Sequence, residues 1–175
     1  MNGKSLLPGN RDCSHKFRIM PIKHPRCGRF VTTVVELICY PLIINANNHN
    51  IEKFHQYFFN LPPDNDYIKW TVGKAMYMAD GTALKQKQAL DENGFYSDII
   101  SSSAVCTIIC DSIQFDEHTR KFSYYGTQII KRRTRDLKRS LLTTGFIENV
   151  PRTQNNPHGL MITNWRTLEN KDLDY

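Results

Sequence analysis

The residues able to do chemistry are few in this chain. Cys13, His15, His24 and Cys27 bring two thiols and two imidazoles within fifteen residues, a donor set that zinc accepts. Zinc sites usually separate paired ligands by two to four residues, and the single residue between Cys13 and His15 strains a shared tetrahedron. These four therefore read as incidental members of a basic N-terminal arm. No Gly-x-Ser-x-Gly elbow is present, and no cysteine lies in a glycine-rich turn beside a helix. The carboxylates of "NDY" and "DEN" are scattered in loop-like surroundings, and "MADGTALK" holds a single glycine, too few to cradle phosphate. The expectation is a protein that is not an enzyme, with no metal and no cofactor.

A second candidate is the stretch "TQNNPHGLMITNW". Pro157 pushes Asn156 toward extended backbone, and Gly159 tolerates positive φ. The segment is then a stiff turn that delivers a strand. No Asp or Cys stands near His158 in sequence, so local physics gives a rigid connector.

The third is "KRRTRDLKR", in which Lys131, Arg132, Arg133, Arg135, Lys138 and Arg139 face one acid. If the run straddles a hairpin turn, Lys131, Arg133 and Arg135 share a face and could meet phosphates. Stacking aromatics, which nucleic-acid sites interleave, are missing between Lys131 and Arg139, and Tyr124 and Tyr125 lie upstream. The favoured reading is an exposed hairpin tip that aids solubility or docks an acidic partner.

These residues need elements to hold them. At 175 residues the chain suits one domain. A net charge of +6 and a pI near 9.1 admit nucleic acid or an anionic surface as partners without requiring either. "FVTTVVELICYPLII" is shorter than the ~18 apolar residues of a membrane span and is broken by Glu36 and Pro41. The start lacks the pattern of a signal peptide. Five cysteines cannot pair completely. Cys106 and Cys110 sit on one expected strand, about 13 Å apart by strand rise, beyond disulfide reach, and read as packing residues.

Residues 1–47 read as a poorly defined arm and 48–175 as the folded domain. In "NHNIEKFHQYFFNL", Ile51, Phe54, His55 and Phe58 repeat at helical spacing, with Asn50 a candidate cap and Pro62-Pro63 the stop. His55 is expected to be a satisfied packing histidine, and Trp70 and Met76 core residues. Tyr57 and Phe59 are expected on the outer side. Asp64 opens a second helix carrying Ile68, Val72, Ala75, Met76 and Ala79 on one face. A third spans about Thr82 to Asn93 before Gly94, and "FYSDIIS" is a short fourth. After Ser103 the period changes to that of strands: "AVCTIICDSIQF", "RKFSYYGTQIIKR", "KRSLLTTGFIENV" and "GLMITNWRTLEN". Short linkers favour an antiparallel meander. The fold class is α+β, with three to four helices packed on a curved four-stranded antiparallel sheet.

In that order, "IEKFHQYFFNLPPD", "KAMYMAD", "GFYSDIIS", "SLLTTGFIENV" and "NNPHGLMITNWRTLENKDL" resemble the TraK family of Bacteroidetes-type conjugative transposons. That family is similar to the eighth VirB component of type IV secretion systems. The resemblance covers about Asn48 to Leu173. It implies a cone like nuclear transport factor two, on the periplasmic side of the inner membrane, anchored by a single span. It implies a non-enzymatic assembly subunit that contacts copies of itself, as a dimer or higher oligomer, and other subunits of the conjugation channel. DNA contact through the basic run is the alternative. The family's Asn-Pro-x-Gly motif is matched by Asn156, Pro157 and Gly159, placed by analogy at or near such contacts. The first helix, with Ile51, Phe54, Tyr57 and Phe58, is the implied self-association element. The membrane helix is missing from the motif order, so this chain is expected to begin beyond it, and Pro8 to Cys39 match nothing in the family.

Overall fold

The computed structural model describes residues 46–173. The arm, with Cys13, His15, His24, Cys27 and Cys39, lies outside them. Helices come first: α1 (residues 46–59), α2 (Asn65–Met76), α3 (Gly81–Glu92) and α4 (Phe95–Ser101). Strands β1 (Val105–Asp116), β2 (Lys121–Lys131), β3 (Leu137–Asn149) and β4 (Leu160–Asp172) follow as one antiparallel sheet in sequential order.

Local chemistry sets the helix ends. The Asp64 carboxylate accepts the N–H of Asp66 at 2.9 Å and of Tyr67 at 3.0 Å, capping α2. Asp80 caps α3 in the same way through Thr82. Gly94, at φ 73°, turns the chain from α3 into α4. Helix α1 differs from expectation. It is already helical at residue 46, so Asn50 is an interior residue, 1% exposed, and not a cap. Its buried face continues backward through Asn47.

Period-two alternation is cleanest in β2, where Phe122, Tyr124 and Ile130 point inward between half-exposed neighbours. Register shifts at Cys110/Ser112 on β1 and at Leu142/Thr143 and Thr144/Phe146 on β3 add twist and bend the sheet. Ile51, Phe54 and Phe58 of α1 fill the resulting hollow against Phe122, Tyr124, Leu141, Ile147, Ile162 and Trp165. A smaller cluster joins α2 and α4 to the far end of the sheet through Ile68, Val72, Tyr96, Ile99 and Ile130. The expected four-helix, four-strand α+β architecture is the one observed.

His55 sits at the centre of the core, its ring stacked on Tyr124 at 3.7 Å. Nδ1 lies 2.7 Å from the Ile51 carbonyl and Nε2 2.7 Å from the Thr143 hydroxyl. A carbonyl only accepts, so Nδ1 carries the proton and Thr143 donates to Nε2. Burial pushes the imidazole pKa from 6.5 down to about 3, against a smaller upward pull from the Ile51 carbonyl. It is the satisfied packing histidine expected.

Both outer strands are partly covered along their free edges. On β1, Leu61 exchanges backbone hydrogen bonds with Cys106, and the Asn60 side chain accepts from Ile108 N–H. On β4, Ile162 N–H donates to Met78, Asp80 N–H donates to Ile162, and Trp165 N–H donates to the Thr82 hydroxyl.

Three side chains depart from the sequence reading. Trp70 is 53% exposed, not core. It follows Ile68 by two positions, about 200° around the helix from the buried face. Phe59 is buried, ring against ring with Phe58 and Trp165, where an outer position was expected. Met76 is only half-buried at the margin of both clusters. Cys106 and Cys110 both carry free thiols on β1, as their spacing requires. No helix among the described residues is long and apolar enough to cross a membrane, and no cluster of metal-ligating side chains occurs among them.

Candidate docking groove

The loop at 150–159 joins β3 to β4 and is organised around Asn156, which is 5% exposed. Its side-chain amide donates to the carbonyl of Leu160 at 3.0 Å and reaches that of Tyr77 at 3.4 Å. Its side-chain oxygen accepts Gly159 N–H at 3.2 Å. Its backbone exchanges hydrogen bonds with Thr153, whose hydroxyl also accepts Asn156 N–H. Asn156 thus ties the loop to itself and to the end of α2.

Gly159 is equally specific. It has φ +64°, and a Cβ there would stand 2.7 Å from the Val150 carbonyl oxygen and 2.9 Å from Arg152 Cγ. Its own carbonyl accepts Val150 N–H at 2.9 Å, closing the loop. Pro157 and His158, between these two buried residues, are exposed. The motif therefore divides by role: Asn156 and Gly159 build the loop, while Pro157 and His158 are what it displays.

The displayed side walls a groove of about 640 Å³, closed on the other sides by α1 and α2. Lys53 and Tyr57 come from α1; Lys69, Trp70 and Lys74 come from α2. The Lys74 ammonium stands 4.1 Å from the centre of the Trp70 ring and 5.8 Å from that of Tyr57, a cation–π clamp. His49 and His158 meet edge to face at 6.2 Å. The groove is thus lined by cations, imidazoles, amides and aromatic rings, with no carboxylate in its wall. Nothing in it forms a nucleophile–base pair or a metal-binding set.

No family model and no curated protein matches the chain. Solved structures do match it. The soluble domain of the TrwG type IV secretion machinery from Bartonella grahamii superposes with a TM-score of 0.59 at 16% identity, over 73% of this chain and 95% of its own. Agrobacterium tumefaciens VirB8 gives 0.61 at 11% identity, over 75% and 94%. The fold is VirB8-like. CagV, a VirB8 homolog of the Helicobacter pylori type IV secretion system, gives 0.51 at 16% identity, over 70% and 93%.

On this VirB8-like frame the sequence-selected residues separate. Asn156 and Pro157 reach the groove, and so does Tyr57 from α1. Ile51, Phe54 and Phe58 do not, being 0%, 0% and 1% exposed in the core. A contact surface on α1 of the folded monomer cannot be made from those three. The basic run straddles the β2–β3 hairpin as its spacing suggested, with Lys131, Arg132, Arg133 and Arg135 exposed. At its root Arg139 pairs with Asp172 of β4, and the Lys138 carbonyl accepts Leu173 N–H. None of the run lines the groove. The sequence reading missed Lys53, Lys69, Trp70 and Lys74. A signal existed: Tyr67, Trp70, Lys74 and Tyr77 fall at i, i+3, i+7 and i+10, a second stripe on α2 away from its buried face.

Proposed function

We propose that this chain is a non-enzymatic structural subunit of a type IV secretion apparatus of the conjugative kind, working by docking other channel subunits and copies of itself. The single observation that carries the reading is the groove: a loop locked by Asn156 and Gly159 holds Pro157 and His158 against an exposed aromatic and cationic face of α2. Exposed aromatic side chains gathered beside a rigid wall favour a protein contact. The VirB8-like fold supports the secretion role, and the ordered motifs support kinship with the TraK family. In this reading the full-length protein sits on the periplasmic side of the inner membrane, held by one span. Self-association through α1 then falls to Tyr57 and its exposed neighbours.

The test is DNA transfer by a strain lacking the gene and complemented with Trp70→Ala or Pro157→Ala. Both side chains are exposed, so the variants keep their thermal stability. We expect transfer to fall by roughly tenfold or more, with loss of co-purifying channel subunits. Normal transfer by both variants overturns the reading.

A second reading rests on the exposed basic tip of the β2–β3 hairpin. It makes the domain a DNA-binding module through Lys131, Arg132, Arg133 and Arg135. A salt-dependent gel shift that disappears when Arg132, Arg133 and Arg135 are neutralised supports it. Indifference to DNA at micromolar protein removes it.

A further inference from the structure

We propose that the groove between α1, α2 and the 150–159 loop receives an acidic peptide segment of a partner protein. The proposal rests on the docking role proposed above and names the chemistry of what docks.

Charge is the first argument. Lys53, Lys69 and Lys74 converge on the groove and no carboxylate lines it. Among the described residues, none of the three forms an ion pair; the pairs present join Lys87 to Asp91, Arg139 to Asp172 and Lys171 to Glu169. Lys53 donates only to the neutral Gln56 side chain, at 3.1 Å. Cations gathered without counter-charges raise the local potential and favour an anionic guest.

The second argument concerns Lys74. Its ammonium is held by the Trp70 and Tyr57 rings, which fixes its position before any guest arrives. A pre-placed ammonium loses little side-chain freedom on meeting a carboxylate. Lys74 also occupies one face of the Trp70 ring, a face on which a nucleic-acid base would otherwise stack.

The third is hydrogen-bonding complement. Asn50, on the groove floor, is 1% exposed, and neither its Oδ1 nor its Nδ2 meets a partner among the described residues. An unpartnered buried amide is costly. Both atoms are shut off from solvent, so a guest meets them only where the groove wall gives way, and a peptide backbone, with both an N–H and a carbonyl, is the guest that complements both. The groove volume of about 640 Å³ suits a short extended segment and not a folded domain.

The chain's own arm is the wrong occupant on charge. Residues 1–45 carry seven Lys and Arg against two Asp and Glu, a net of +5, which repels a cationic groove. The arm, of this chain or of a second copy, therefore does not supply the guest.

The test selects a phage-displayed random peptide library on the wild-type chain at low salt, with counter-selection on the triple variant Lys53→Gln, Lys69→Gln, Lys74→Gln. The expected winners are rich in Asp and Glu. Their synthetic forms should lose roughly tenfold or more in affinity in the triple variant and weaken with added salt. They should bind a Lys85→Gln, Lys121→Gln control like wild type. Failure to enrich any peptide, winners without acids, or winners indifferent to the three lysines each overturn the proposal. So does oligothymidylate that binds more tightly than the winners and is lost in the triple variant. Melting curves of all variants establish that they fold. DNA transfer separates the two levels. A triple variant that transfers normally while Trp70→Ala or Pro157→Ala does not sinks the acidic guest and leaves the docking role; normal transfer by all three sinks both.

Discussion

One oxygen of the Asp80 carboxylate accepts the backbone N–H of Asn164, 84 residues away, at 2.9 Å, while the other caps α3 through Thr82. One side chain thus fixes both a helix start and its seat on β4. Burial alone would push this carboxyl up, but the Thr82 hydroxyl and the N–H groups of Asn164, Thr82 and Ala83 hold it below its ordinary value. Asp80→Ala should cost about 2 kcal/mol, roughly one for the cap and one for the orphaned Asn164 N–H. Asp80→Asn should recover part of that. Urea midpoints measure both. Because the folded pKa is depressed, the charged contribution is present above the unfolded value of 3.8 and is lost as pH falls through the folded one.

His55 makes the domain acid-sensitive at a higher pH. Its folded pKa of about 3 lies below the unfolded 6.5, so between those values the unfolded chain binds the extra proton. Stability from this group is full above pH 6.5. It should fall by about 1.4 kcal/mol per unit below that, reaching roughly 2 kcal/mol by pH 5. Unfolding midpoints from pH 7 to 4 should show the slope. His55→Gln, though destabilised, should lack it.

The Asn-Pro-x-Gly loop should respond unevenly to substitution. Gly159→Ala places a Cβ 2.7 Å from the Val150 oxygen at positive φ, and should cost about 2 kcal/mol or more. Asn156→Ala removes the bonds to Leu160 and Gly159, and should cost about 2–4 kcal/mol. Pro157→Ala should stay within about 0.5 kcal/mol of the parent. Loss of transfer in the first two variants reports folding, and only loss in the third reports docking. Calorimetric melting of the three ranks them.

The two tryptophans should be optically separable. Trp70 is 53% exposed beneath a lysine, and Trp165 is 3% exposed. Iodide should quench about half of the emission or less and leave a blue-shifted remainder. Trp70→Phe should abolish the quenchable part, and Lys74→Gln should weaken quenching by removing the cation that attracts iodide. Stern–Volmer plots give the readout.

The strands were legible because one face of a sheet alternates with a period of two; in "KFSYYGTQII" burial alternates throughout, while the residue types follow it less strictly, Gln128 being buried and Ile129 half-buried. Helix ends were legible where Asp64 and Gly94 act locally. Asn47 and Asn50 look like surface residues, yet the interior takes them in, so α1 begins earlier than its apolar spacing predicts. Residue type points Trp70 to the core and its angular position about the helix turns it out, while Phe59, about 80° around α1 from Ile51, lies at the margin of the apolar stripe and the fold closes over it. The groove draws Lys53, Lys74 and His158 from three separate segments, and no spacing rule joins them before the chain folds. The Asn-Pro-x-Gly motif was legible as a unit, but its split into Asn156 and Gly159 as builders and Pro157 as display required burial to be known.

The backbone contacts along the outer strands have a bearing on self-templating. An open four-stranded sheet offers two rims on which a like strand can nucleate a fibril. Here Leu61 and Asn60 cap one rim at Cys106 and Ile108, and Met78, Asp80 and Thr82 cap the other from Ile162 to Trp165. Beyond Trp165 the second rim carries Glu169, Lys171 and Asp172, charges that oppose stacking in register. The short segments on either side of α2 thereby shield part of each rim, and loosening them should lengthen the strand edge on which a like strand can pair.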